Sequence, residues 1–249
     1  MAIWQEAPEN FTLTRQEIHV WGTYFDAWLS DISRLTSVLS DDERERASRF
    51  HFEKDRQRSI IARGLLRILL GKYCSCPPRD IIFTYNDYGK PALSESERYP
   101  LVYFNLAHSY NMVAYAFTLM NPVGIDVEYM RTNIEYEQLA QHYFSPDENE
   151  QLNSLSGEQK AQAFFAGWTR KEAYIKARGK GLSIPLTSFD VTLRPDLPAQ
   201  LLACREIPSV AQNWSLTALP VEPPYAGALA LEGTADKIRY WQVPASLVS

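Results

Sequence analysis

The feature that most constrains this chain is a plan that it states twice. Ser40-Asp41-Asp42-Glu43 has the S-x-x-E form of a helix capping box, in which serine and glutamate satisfy each other's free backbone N–H groups. Ser145-Pro146-Asp147-Glu148 restates it 105 residues on, with proline at the favoured first helical position. A helical pattern follows the first box from about Lys54 to Tyr73, with Ile60, Ile61, Gly64, Leu65, Ile68 and Leu69 along one broad face. The same offset reaches a second helical pattern, from about Glu158 to Arg178, with Phe164, Phe165, Trp168 and Ile175 as core candidates. Strand-like sequence follows each helix: 81–85, 101–106 and 112–119 in the first half, then 189–193, 214–219 and 225–231 in the second. Asn121-Pro122 marks a turn before a further strand, 123–128. Chance recurrence of helix-then-strand order is the competing explanation, but matching offsets of both cap and helix favour a repeat. The expected fold is α+β (α/β), a pseudo-twofold pair of similar subdomains, 1–120 and 121–249, each a long helix packed on a small antiparallel sheet.

Composition narrows the function classes. The 249 residues are 45% hydrophobic and 22% charged, enough for a sizeable core, and the net charge of −5 gives no sign of a nucleic-acid or membrane-surface binder. An anionic ligand would need local basic groups or a metal to hold it. Met1-Ala2-Ile3-Trp4-Gln5-Glu6 lacks the basic region and apolar run of a signal peptide, and no apolar stretch is long enough for a membrane span. Cys74, Cys76 and Cys204 have no framework spacing, which fits structural thiols in a reducing cytoplasm. Loops rich in proline and serine, 93–100 and 220–224, read as surface connections.

Two segments carry chemistry. In Val123-Gly124-Ile125-Asp126-Val127-Glu128, alternation sets Asp126 and Glu128 on one strand face beside Gly124. Paired carboxylates repel unless a cation lies between them or one keeps its proton, although an exposed strand face carries such pairs often. In the helical segment from Trp168 to Leu182, Trp168, Glu172 and Lys176 fall on one stripe, and Gly179 suits a C-cap. Each residue alone has an ordinary structural explanation; Glu172 and Lys176, for example, make a common helix-stabilising pair.

Together, in this order, the two segments resemble the signature of Sfp-type 4′-phosphopantetheinyl transferases: G-I/V-D-x-E on a strand, then W-x-x-K-E-A-x-x-K-x-x-G-x-G-L on a helix. Tyr88-Gly89-Lys90-Pro91, Phe104-Asn105-Leu106-Ala107-His108-Ser109 and Ser183-Ile184-Pro185-Leu186 are similar to further family segments. The resemblance implies the 4′-phosphopantetheinyl transferase fold, with the active site in the cleft between the halves. It also implies transfer of phosphopantetheine from coenzyme A to a serine of an apo acyl, polyketide or peptidyl carrier protein.

By the same resemblance, Asp126, Glu128 and Glu172 ligate Mg²⁺ (with Mn²⁺ as a substitute) and Lys176 stabilises the pyrophosphate, while Glu172, directly or through metal-bound water, is the best candidate for taking the serine proton. Lys90 and Pro91 then lie near the adenine, His108 and Arg58 at the 3′-phosphate, and Arg46 adds positive charge. The chain departs from the family at Glu43, where relatives often carry lysine near the start of this helix. Lys171 either orients the cluster or is solvated, and Trp168 belongs to the core. Tyr129-Met130-Arg131 and 141–152 are candidates for the carrier-docking surface. The expected protein is a cytoplasmic monomer with no nucleic-acid or membrane partner. A Mg-dependent phosphodiesterase and a non-catalytic coenzyme A-binding scaffold are the competing readings.

Overall fold

The computed structural model of the chain describes residues 4–95, 100–131 and 134–248, so the amino-terminal reading at 1–3 and the middle of the 93–100 loop lie outside the described residues. The first half contains β1 (Gln5–Glu6), β2 (Glu17–Tyr24), α1 (Ile32–Ser37), α2 (Asp41–Ser48), α3 (Glu53–Cys74), β3 (Phe83–Tyr85), β4 (Pro91–Leu93), β5 (Tyr103–Ser109) and β6 (Met112–Thr118). The rest is β7 (Val123–Tyr129), α4 (Tyr136–Tyr143), α5 (Pro146–Asn153), α6 (Gly157–Arg178), β8 (Phe189–Val191), β9 (Leu201–Cys204), β10 (Trp214–Ala218), β11 (Tyr225–Glu232) and β12 (Lys237–Gln242).

Both long helices form where the periodicity places them, and each ends on a left-handed residue. Ser75 has φ 51°, and Gly179 has φ 66° with its N–H returned to the carbonyls of Ile175 and Lys176. The strand expected at 81–85 shrinks to β3, which pairs with β4 in a separate ribbon.

Two main sheets stack back to back between the helices. One has the order β1-β12-β2-β6-β5, the other β10-β11-β7. Alternation along the strands sorts side chains into three apolar layers. Val113, Tyr115 and Phe117 of β6 join Leu65 and Leu69 of α3 in the first core. Met112, Ala114 and Ala116 face the other way, onto Val123, Ile125 and Val127 of β7 and Leu229 and Leu231 of β11. Ala228 and Ala230 of β11 turn to the third layer, with Phe164 and Tyr174 of α6. Strand β6 is buried along its whole length because it serves two cores, and hence its run is continuously apolar.

The first sheet is antiparallel through β2, β6 and β5, but its far edge is not. Strand β12 returns from the end of the chain to pair parallel with β2, and β1 pairs parallel with β12. The apolar contact that brings it back is Trp241, buried against Trp21, Phe11 and His19. Sheet membership over 237–242 therefore crosses from the second half into the first.

Both capping boxes form, and each does more than cap. Ser40 N–H donates to Glu43 Oε2 at 3.0 Å, and Ser145 N–H donates to Glu148 Oε2 at 2.9 Å. Each glutamate is buried and also meets a cation of the long helix: Arg67 Nε lies 2.5 Å from Glu43, and Lys171 Nζ lies 2.7 Å from Glu148. Those cations then hold the chain that leaves the helix. Arg67 donates to the carbonyls of Pro78 and Ile81, and Lys171 to those of Leu186 and Phe189. Lys171 is thus held on Glu148 and on carbonyls of the following chain, neither orienting Asp126, Glu128 and Glu172 nor solvated, correcting both alternatives for it; its side chain is 0% exposed, as is that of Glu148. Burial pushes the Glu148 carboxyl up and the Lys171 ammonium down, against the attraction between them. The cysteines are free, and burial pushes the Cys74 thiol up to about 12, as suits a structural thiol.

Removing one member of such a pair leaves a buried charge alone. Glu148→Ala is expected to lower the unfolding free energy by about 3–5 kcal/mol in urea titration. Replacing both partners, as Glu148→Leu with Lys171→Met, should recover much of that loss; a double variant as unstable as the single would refute this account.

Candidate functional site

The site begins with a missing side chain. A Cβ on Gly124 would lie 2.0 Å from the Ala173 carbonyl oxygen and 2.4 Å from the Ala177 nitrogen, so only glycine lets β7 press against the backbone of α6. Small residues continue the contact, since Ala230 and Ala228 of β11 pair with Gly124 and Asp126. The close approach sets Asp126 and Glu128 of β7 beside Glu172 and Lys176 of α6.

Lys176 Nζ donates to Asp126 Oδ1 at 2.6 Å. Asp126 is 4% exposed, and its Oδ2 is buried with no hydrogen-bond partner. Burial pushes its carboxyl up to about 7, opposed by Lys176 and reinforced by Glu128 and Glu172. Burial raises Glu172 also, with Lys176 opposing and Glu128 adding. For Lys176, burial disfavours the ammonium, but Asp126, Glu172 and Glu128 outweigh it and the pKa rises. Glu128 is half-buried and accepts from Ser109 Oγ at 2.6 Å, and the same hydroxyl accepts the Tyr129 N–H at 3.0 Å. Asn105 Oδ1 accepts the Ile125 N–H at 2.9 Å, so two side chains of β5 fasten β7.

These are hard oxygen donors sharing one field, with an orphaned buried oxygen among them. Among the described residues, no three His, Cys, Asp or Glu side chains converge closely enough to ligate one ion. The Lys176 ammonium is the cation on Asp126 instead. That donor set fits Mg²⁺ bound in its usual manner, through one or two carboxylates with water and substrate phosphates in the other positions. It does not form an all-protein cage.

A second cluster adjoins the first. Arg46, Arg58, Pro91 and His108 line a cavity of about 450 Å³ together with Ser59, Arg63, Tyr85 and Asn105. Arg58 lies 3.8 Å from Asp55 and over the Phe25 ring. The walls of the cleft, then Lys176 and Arg58, hold His108 below the ordinary histidine range, so the imidazole feels both clusters. Arg63 and Tyr85 had gone unnoticed in the sequence. The available signal was spacing, because Asp55, Arg58, Ser59, Ala62 and Arg63 fall at i, i+3, i+4, i+7 and i+8 and make one stripe of α3 along the cavity.

Lys90 is placed differently from the other basic residues. Its Nζ donates to the carbonyls of Val123, Lys176 and Ala177 at 3.1, 2.6 and 3.2 Å, capping the end of α6 and tying it to the start of β7. Asn86 Nδ2 adds a bond to the Gly179 carbonyl at 2.6 Å. Burial lowers the Lys90 pKa to about 8. With Pro91 it lines a second cavity, of about 360 Å³, which also takes in Tyr85 and Phe104. Glu43 does not face the 450 Å³ cavity as an open charge; it is enclosed by Arg67 and by Arg63, at 3.1 Å. Trp168 packs half-buried on Tyr143 and Phe164, as a core residue would. Tyr129 and Met130 are half-buried, and Arg131 is exposed just beyond β7.

The profile of the 4′-phosphopantetheinyl transferase superfamily matches residues 122–230, and that of a 4′-phosphopantetheinyl transferase N-terminal domain matches residues 24–119. The chain is similar to 4′-phosphopantetheinyl transferase HetI of Nostoc sp., with 37% identity over 96% of this chain and 97% of the relative. It is 31% identical to 4′-phosphopantetheinyl transferase Sfp of Bacillus subtilis, over 84% of this chain and 90% of that protein. A third relative, 4′-phosphopantetheinyl transferase AcpT of Salmonella typhimurium, is 37% identical over 51% of this chain and 62% of its own length.

Because β7 and α6 touch through backbone, a single methyl should part them. Gly124→Ala is expected to cost about 1–3 kcal/mol of stability or more, and to weaken the hold of Lys176 on Asp126. Thermal unfolding, with NMR of the lysine Nζ, measures both; unchanged stability would show that α6 yields without strain.

Proposed function

We propose a mechanism on one premise: this chain belongs to the 4′-phosphopantetheinyl transferase family. It is a transferase that moves 4′-phosphopantetheine onto a carrier-protein serine. The donor in our reading is coenzyme A, and the acceptor is an apo acyl, polyketide or peptidyl carrier protein. The observation that carries the mechanism is the Lys176 ammonium on buried Asp126, flanked by Glu128 and Glu172 and adjoining a cavity lined by arginines.

Cationic groups on one wall suit the nucleotide end of coenzyme A: Arg58 and His108 at its 3′-phosphate, with Arg46 adding charge. Pro91 supplies an apolar surface near the adenine. Lys90 contributes by fixing the end of α6, from which Lys176 and Glu172 project. Asp126, Glu128 and Glu172 would supply the carboxylates for Mg²⁺, one or two of them directly and the rest through water, and the ion would neutralise charge on the pyrophosphate when bound. The carrier serine oxygen attacks the β-phosphorus and forms the new P–O bond. The bond from that phosphorus to the bridging oxygen breaks, and the electron pair leaves with 3′,5′-ADP. Glu172, its carboxyl raised by burial, accepts the serine proton, and Lys176 stabilises the leaving phosphate. Each half buries its inner sheet face on the other, so a monomer is self-sufficient, and a cytoplasmic setting suits three free thiols.

Intact-mass spectrometry of an apo carrier protein incubated with the chain, coenzyme A and Mg²⁺ tests this directly. One phosphopantetheine should be gained, with EDTA abolishing the gain. Glu172→Gln should lower the rate by about 100-fold or more, as loss of a general base does. Transfer that persists undiminished in EDTA would remove the metal from the mechanism. For carrier docking, exposed Arg131 is placed to meet an acidic helix. Arg131→Glu should raise KM for the carrier more than KM for coenzyme A, and equal effects would move the docking surface elsewhere.

A further inference from the structure

One charge beside the 450 Å³ cavity is left without its match. Glu43 carries a single negative charge and shares it between Arg67, at 2.5 Å, and Arg63, at 3.1 Å. Arg67 is the inner partner, spent on Glu43 and on the carbonyls of Pro78 and Ile81. Arg63 is the outer one, and it lines the cavity. Asp55 is the sole acid on that wall among the described residues, and it lies beside Arg58. The pair of arginines on one glutamate therefore leaves an excess positive charge at the cavity, where desolvation makes a counter-ion valuable.

Arg63 is also held in place before any ligand arrives. Its Nη2 donates to the Tyr85 hydroxyl at 2.8 Å, and its guanidinium lies over the Phe83 ring at 4.8 Å. Tyr85 in turn lies under Arg46, at 5.0 Å from its ring centre. The Nη1 of Arg63 is buried with no acceptor, a cost that is relieved when an oxygen reaches it. A fixed guanidinium with spare donors and uncompensated charge suits a doubly charged phosphomonoester better than a neutral hydroxyl.

We infer that Arg63 is a ligand-binding residue that reads the phosphomonoester on the nucleotide, and so sets the preference for coenzyme A over 3′-dephospho-coenzyme A. Tyr85 positions it. The inference rests on the transferase reading above. It differs from a purely structural role for Arg63 in one measurable respect: the loss on substitution depends on whether the substrate carries that phosphate.

Rates of carrier modification with coenzyme A and with 3′-dephospho-coenzyme A, for the wild type, Arg63→Met and Arg63→Lys, test it. Arg63→Met should lower kcat/KM for coenzyme A by about 10–100-fold, the loss of a charge-assisted hydrogen bond, mainly through KM. The dephospho substrate should be little affected, and Arg63→Lys should fall between. Equal losses with both substrates, or no loss with either, would overturn the inference. A wild type that transfers nothing from coenzyme A would instead strike at the transferase reading. Removing Arg63 leaves Glu43 matched one to one by Arg67, so the fold should persist, as a thermal melt will show. Should the methionine variant unfold, Tyr85→Phe frees Arg63 without removing it, and the same substrate-dependent loss, smaller in size, is required.

Discussion

Strand β7 is gripped on three sides, and the remainder of the molecule is arranged around that grip. Val123, Ile125 and Val127 enter the apolar layer between the sheets. Gly124 meets the backbone of α6 on the opposite face. Along its free edge, Asn105 and Ser109 of β5 replace ladder bonds with side-chain ones. A strand so confined cannot slip by one residue without turning its apolar set outward, so Asp126 and Glu128 are fixed in depth and direction. The raised pKa of buried Asp126 is the electrostatic cost of that confinement, and Lys176 is what the fold supplies against it.

The two halves solve one construction problem with different chemistry. In each, a capping glutamate reaches a buried cation on the long helix, and that cation gathers the chain as it turns back. Arginine does this in the first half with a guanidinium that spans several carbonyls, and lysine does it in the second with a compact ammonium. The duplication ends at the facing surfaces. Helix α3 presents Arg58 and Arg63 to the cleft, whereas α6 presents Glu172 and Lys176. The cleft is therefore cationic on one wall and mainly acidic on the other.

Much of this was legible in the sequence because it is written locally. The helices of 53–74 and 157–178, the capping boxes, the C-cap at Gly179 and the alternation of 123–128 all follow from periods and offsets within a few turns of chain. What escaped depends on partners distant in sequence. Lys171 looks like a surface residue until Glu148, 23 residues earlier, is folded beneath it. Glu43 looks like a misplaced acid until Arg67 arrives, and Lys90 looks like a free cation until the ends of β7 and α6 are brought to it. Nothing in the pattern of 237–242 says which sheet that strand will join, since either would bury Trp241.

The position of that last strand has a consequence for how the protein is made. Strand β12 lies between β1 and β2, so Gln5 waits for Trp241 and Glu17 waits for Lys237. An amino-terminal half emerging from the ribosome can form α3 against β2, β6 and β5, but its sheet stays open along β2 until residues 237–242 have been made. Such distant pairings are slow to close, and an unpaired edge invites association with other chains. The sheet is thus sewn shut by residues 237–242, and a product cut short before them would expose an adhesive strand.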